Sequence, residues 1–202
     1  MHTFLLLWMS PEAQATTMVP LTVEQMVDLS STVVRGTVTQ VWTETDSDTK
    51  SVWTYAQIRV EKTFKGQADP VLVLEQPGGV WGTSETIVEG VARFSEGEEG
   101  YFFVEKLDSG KSVTAGMFQG KYNVLFDPYA REEIAVRFPV HPKRNFDHRF
   151  IPLPPEKQRM PISVFEEQIE TFVQDGWDGQ AIPGVSLEKL KEINQPPSKP
   201  IK

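Results

Sequence analysis

An antiparallel β-barrel or sandwich, with a short N-terminal helix and further helices at the C-terminus, is what this sequence predicts. Three observations carry that prediction. Between Pro77 and Tyr122, short apolar or alternating runs are cut by Gly90, Gly97, Gly100, Gly110, Gly116 and Gly120. That is the punctuation of successive hairpins, because glycine supplies the positive φ of tight turns. Two longer runs rich in β-branched residues, Thr32–Trp42 and Val52–Thr63, flank a polar, acidic stretch, the pattern of a strand–loop–strand pair. Strands and helices show no βαβ alternation.

In order along the chain, Thr22-Val-Glu-Gln25 has the spacing of a capping box, and Val23, Met26 and Val27 share a helical face. A short helix over Val23–Leu29 follows. Gly36 inside the first β run predicts a bulge or sharp coiling. In the second run Val52, Ala56, Ile58 and Val60 alternate with Trp53, Tyr55, Gln57 and Arg59, a half-buried strand. A symmetric hairpin places Trp42 opposite Trp53. Val71–Leu74 reads as a strand buried on both faces, and Pro77-Gly78 as the centre of a type II turn. Further strands are expected near Glu85–Val88, Gly100–Lys106, Ser112–Phe118, Lys121–Phe126 and Ile134–Arg137. The Gly100–Lys106 strand is central, because it carries bulky groups on both faces. Asp108-Ser-Gly110 marks a hairpin tip.

The character changes after Phe138. Residues 138–162 are Pro-rich and read as an extended connector. Ser163-Val-Phe-Glu166 has capping-box spacing and predicts a helix to about Gln174, with Val164 or Phe165, Ile169, Phe172 and Val173 on its apolar face. Ser186–Ile193 predicts a second helix, so residues 163–194 form a helical appendage, and 195–202 read as a disordered tail. At the other end, the apolar run Phe4–Met9 followed by Ala13-Gln-Ala15 reads as a short signal peptide over residues 1–15. No Lys or Arg precedes the run, a departure that a start codon set too far downstream would produce. The β domain spans 21–137.

Composition narrows the function classes. The 202 residues carry a formal net charge of −8. Such an acid excess disfavours a nucleic-acid surface or an anionic membrane as partner. The absence of cysteine removes thiol catalysis, thiolate metal sites and disulfides.

The segments VVRGTV, IRVEKTFKG, VLVLEQPGG, VEGVARFSEGEEGYFFVE and VTAGMFQGKYNV, after a helix, resemble a group of uncharacterised secreted bacterial proteins of myxobacterial type. The likeness covers about Leu21 to Val136. It implies an OB-like barrel similar to the netrin/TIMP-like module, and export from the cytoplasm. That module's cysteine N-terminus and disulfides are missing here, so protease inhibition does not carry over.

Candidate sites weigh differently. His141 and His148 lie in a Pro-flanked stretch without the i, i+4 spacing of a helical metal site, and read as solvated. Glu44, Asp46 and Asp48 alternate like oxygen ligands but lack the EF-hand glycine and closing Glu, and read as a charged hairpin tip. Gly78-Gly-Val-Trp-Gly82 lacks the Lys-Ser/Thr ending of a phosphate loop. Within it, Trp81 beside Gly79 is either a plug for the barrel end or an aromatic presented to a ligand. Ser84 is not in a nucleophile elbow. Glu96, Glu98 and Glu99 are available as paired carboxylates, though a turn ordinarily leaves such charge solvated. Arg144 and Phe146 belong to the one basic-aromatic concentration, Arg137–Phe150, which an OB-type groove would use for single strands; contacts to the barrel's own acidic face are the preferred reading.

The expectation is a non-enzymatic, secreted or periplasmic binding module for a protein or cell-surface ligand, with Trp81, Gly79, Arg144 and Phe146 as candidate contacts. It needs no cofactor, no nucleic acid and no membrane-spanning segment. The alternatives are a hydrolase with a carboxylate site between barrel and C-terminal helices, and a single-strand nucleic-acid binder.

Overall fold

The computed structural model describes residues 21–46, 49–137 and 159–176. The fold is mainly β. Helix α1 (Val23–Leu29) precedes β1 (Thr32–Thr45), β2 (Val52–Lys65), β3 (Val71–Pro77), β4 (Gly79–Trp81), β5 (Ser84–Thr86), β6 (Glu99–Lys106) and β7 (Ser112–Thr114). A 3-10 turn at Met117–Gly120 leads into β8 (Lys121–Asp127), β9 (Glu132–Val136), β10 (Arg159–Pro161) and α2 (Ile162–Asp175). Eight strands form one antiparallel sheet ordered β10-β9-β8-β6-β1-β2-β3, with β7 also paired to β6. β4 and β5 make a separate hairpin. β6 is central, and Tyr101, Phe102 and Phe103 on it are fully buried. Among the described residues no helix is long and apolar enough to cross a membrane.

The two sheet faces bury different cores because strand side chains alternate. On one face Val34, Val38, Ala56, Ile58, Leu74, Phe102 and Val104 pack together under Phe94. On the other, Val33, Tyr101, Phe103, Tyr122 and Ala135 meet Met26 and Val27 of α1 and Phe165 and Ile169 of α2. The sheet curls strongly along β1 and β2. Their ladder shifts register between Arg35 and Gly36, with Glu61 of β2 as the extra residue, and again at Phe64 and Thr39. Gly36 permits this, since a Cβ there would stand 2.3 Å from the Arg59 carbonyl oxygen.

The curl does not close the sheet by a backbone ladder. β3 and β7 instead meet through side chains: buried Gln76 donates from Nε2 to Thr114 Oγ1 at 3.0 Å, and Lys111 pairs with Glu75.

Several expectations are corrected. The β1–β2 register pairs Trp42 with Tyr55 and Glu44 with Trp53, because the ladder closes at Thr45 and Val52 and so centres the turn one residue later than a hairpin pairing Trp42 with Trp53. β3 is an edge strand, so Val71 and Val73 are 50% and 36% exposed and only its other face is buried. Pro77 still pairs with Trp53 at the end of β3, although Gly78 does take a positive φ of 93°. The end of the expected connector is ordered: Arg159–Pro161 pairs with Ile134–Val136. The box at Thr22 and Gln25 forms in both directions. The one at Ser163 does not, because Pro161 caps α2 and Ser163 lies inside the helix. The expected helix Ser186–Ile193, the signal peptide and the tail lie outside the described residues.

Candidate functional site

Trp81 ends β4 and is 50% exposed, and it belongs to neither apolar cluster. It therefore plugs neither core. Val80 before it and Ile87 at the far end of the hairpin are 58% and 59% exposed. The base of this hairpin is fixed, and Trp81, paired with Ser84, stands next to its turn. Gly78 N–H donates to the Val52 carbonyl at 2.8 Å, and Thr54 Oγ1 donates to the Gly78 carbonyl at 2.7 Å. Gly79 has φ +136°, and a Cβ on it would come within 2.4 Å of Thr54 Oγ1. Gly79 is thus a wedge point for the hairpin on β1 and β2. Arg144 and Phe146 lie outside the described residues, as do His141, His148 and Asp48.

The acidic tip of the first hairpin is built from local bonds. Asp46 Oδ1 accepts from the Thr49 N–H at 2.8 Å, and Glu44 accepts from Trp42 Nε1 at 2.8 Å. Among the described residues no group of three or more His, Asp or Glu is arranged to hold a metal ion. The three glutamates of the Ser95–Gly100 turn are engaged. Glu96 accepts from the Val41 N–H at 3.1 Å, Glu98 from Lys121 Nζ at 2.5 Å, and Glu99 from Arg35 Nε at 2.8 Å.

Sequence reasoning missed the densest polar cluster, which lies between the sheet and α2. Glu166 accepts from Tyr101 Oη at 2.7 Å, Lys62 Nζ at 2.7 Å and Arg35 Nη1 at 3.3 Å. Arg35 also meets Glu99 and, at 3.6 Å, Glu133, while Lys62 reaches Glu170 at 2.9 Å. One signal was readable: a lone arginine in the β-branched run TVVRGTV has to find carboxylates when its strand is covered.

The electrostatics of this cluster are those of a tie. Burial works against the Glu166 carboxylate, but hydrogen bonds from Lys62, Tyr101 and Arg35 outweigh it and hold its pKa below the usual range. Burial, then the bond to Glu166, pushes the Tyr101 phenol up. Burial opposes the charge on Arg35, yet its bonds to Glu99 and Glu166 raise its pKa overall. A general acid for glycoside or ester chemistry needs a carboxyl raised towards neutrality. Glu166 is shifted the other way.

A second aromatic group stands on the outer face of β1 and β2. Trp42 stacks on Tyr55 at 5.3 Å and 13°, and Lys111 Nζ sits 4.2 Å from the Trp53 ring centre. Each stack consumes one ring face that a ligand would otherwise use, so this group is less suited to recognition than the Trp81 hairpin.

No protein-family model matches this chain, and no curated protein matches it significantly.

Proposed function

We propose that the protein is a non-enzymatic binding module, exported to the periplasm or beyond, that holds a protein ligand at the cell surface through the β4–β5 hairpin. The observation that carries this reading is an exposed apolar hairpin on a fixed base: Val80, Trp81 and Ile87 are each at least half exposed, with Trp81 next to the turn and Ile87 beside the hydrogen-bonded Gly78–Thr54 anchor. Exposed tryptophan on a rigid element is the composition of an interface hot spot, because it adds large contact area at small entropic cost. The curled sheet, nearly joined at Gln76 and Thr114, supports an OB-like half-open barrel as the scaffold. A resident cofactor plays no part in this reading.

The test is affinity capture from an envelope extract with wild type and Trp81→Ala side by side. A component held by the wild type and lost by the variant, with unchanged melting temperature, supports the reading. Identical capture by both proteins overturns it. Export is checked separately by sequencing the N-terminus of protein purified from cells, which should lie beyond Ala15.

The hydrolase alternative draws on the carboxylates Glu99, Glu133 and Glu166 around Arg35. Glu166, the carboxylate at its centre, is shifted away from the acid role, and the binding reading is preferred for that reason.

A further inference from the structure

The β8–β9 hairpin runs past its neighbours in the sheet. β6 pairs with β8 only at Lys121–Asn123, and β10 pairs with β9 only at Ile134–Val136. Among the described residues, Phe126 and Asp127 with their partners Glu133 and Glu132 thus form a two-stranded ribbon with no ladder neighbour on either side. Its outer half is apolar. Phe126 is 64% exposed, Tyr129 98% and Leu125 42%, and Pro128 and Ala130 are exposed in the same turn. Successive strand residues point to opposite faces, so Leu125 and Phe126 present apolar surface on both sides of the ribbon. A partner laid flat against the hairpin covers one and leaves the other in water. Entry of the tip end-on covers both.

The backbone of the tip is suited to a place short of water. Pro128 has no N–H to satisfy. The Tyr129 and Ala130 N–H groups donate to Asp127 Oδ1 at 2.9 and 3.3 Å, and the Arg131 N–H donates to the Asp127 carbonyl at 2.7 Å. Every backbone donor from Pro128 to Arg131 is therefore satisfied inside the turn, which removes a main cost of taking it out of water. The Asp127 carboxylate that accepts them is buried and paired with Arg159, so it adds no bare charge to the tip.

We infer that the β8–β9 tip docks on a lipid surface, with Phe126, Pro128 and Tyr129 entering the interfacial layer of a bilayer whose headgroups are zwitterionic. Aromatic rings favour that layer, which accommodates an apolar ring and a hydroxyl together. Charge selects the headgroup. Arg131 and Glu132 stand exposed beside the tip, one suited to the phosphate and the other to the ammonium of a zwitterionic lipid. The net charge of −8 repels an anionic surface. Entry is shallow, about 5–10 Å, and reversible. The inference does not rest on the Trp81 reading, which concerns a different hairpin.

The test is flotation of the full-length protein with phosphatidylcholine vesicles at roughly millimolar lipid. Wild type and Trp81→Ala should float alike. The double variant Phe126→Ser, Tyr129→Ser should bind about tenfold less or weaker still, at an unchanged melting temperature because both rings already face solvent. A second reading keeps both rings in place. The chain lacks cysteine, so an environment-sensitive dye can be attached at Ala130→Cys in the tip or at Ser109→Cys in the β6–β7 turn. Vesicles should shift the emission of the dye at 130 to the blue and leave the dye at 109 unchanged. Wild type that does not float, a double variant that floats equally well, or equal shifts at the two dye positions overturns the inference. Flotation only with anionic vesicles, abolished by salt, also overturns it. Loss of flotation in Trp81→Ala assigns the lipid contact to the other hairpin and contradicts the proposal. Capture of a soluble protein that needs Phe126 and Tyr129, without flotation, makes the tip a protein contact and overturns lipid docking.

Discussion

Glu166 is the residue on which most polar contacts between α2 and the sheet converge, and its role can be separated by charge. Glu166→Gln keeps an acceptor for Tyr101 but removes the charge facing Arg35 and Lys62. At 20% side-chain exposure the site lies between an exposed pair, worth about 0–1 kcal/mol, and a buried one, whose breaking costs about 3–5 kcal/mol. A loss of about 1–3 kcal/mol is expected, read by chemical denaturation. The folded-state pKa of Glu166 is depressed, so its contribution is present above the unfolded carboxylate value and is lost as pH falls through the folded one. The stability gap between wild type and Glu166→Gln should therefore be widest near neutrality and shrink in acid below about pH 4. A gap that stays constant with pH would contradict this assignment. Phe165→Ala, at the fully buried anchor, should cost more, about 3–5 kcal/mol. Glu166 escaped the sequence reading because its spacing from Ser163 matched a capping box. In the fold the helix starts earlier, with Pro161 as its cap, and Glu166 faces three donors on neighbouring strands instead. Nothing local in the sequence records those donors.

At the scale of elements, the strands were the most legible part. Alternation across Val52–Val60 and the bulky Tyr101–Val104 run named β2 and the central strand β6, because side-chain period reports burial directly. The Thr22 box was readable for the same reason: its bonds are local. Register was not readable. The Trp42–Tyr55 pair follows from closure of the ladder at Thr45 and Val52, which the polar composition of the turn does not specify. The double burial expected of Val71–Leu74 failed because hydrophobicity does not say which strand ends a sheet. The coiling itself has a specific test. Gly36→Ala would put a Cβ against the Arg59 carbonyl, and backbone cannot yield as a side chain tip does. A loss of about 1–3 kcal/mol is expected, lowering the melting temperature by several degrees. An unchanged melt would mean that the ladder at Gly36 relaxes without strain.

Over the whole molecule, the helices cover one face of a curled sheet, and on the opposite side the β4–β5 hairpin leans on β1 and β2 with Trp81 exposed next to its turn. The side-chain contact between β3 and β7 at Gln76 and Thr114 holds this end of the open sheet. The candidate site was half legible in sequence. Trp81 between glycines was visible as an aromatic with no assigned strand neighbour, whereas Val80 and Ile87 gained meaning only once their exposure was known. Trp81→Ala should change stability by less than about 1 kcal/mol, since half of the side chain already faces solvent. Its effect belongs to binding. Amide hydrogen exchange, compared for the protein alone and with the component it captures from envelope extract, tests that claim most directly. The account predicts slowed exchange over residues 78–88 and little change on the outer face of β1–β3. Protection on that outer face, with residues 78–88 unaffected, would contradict it.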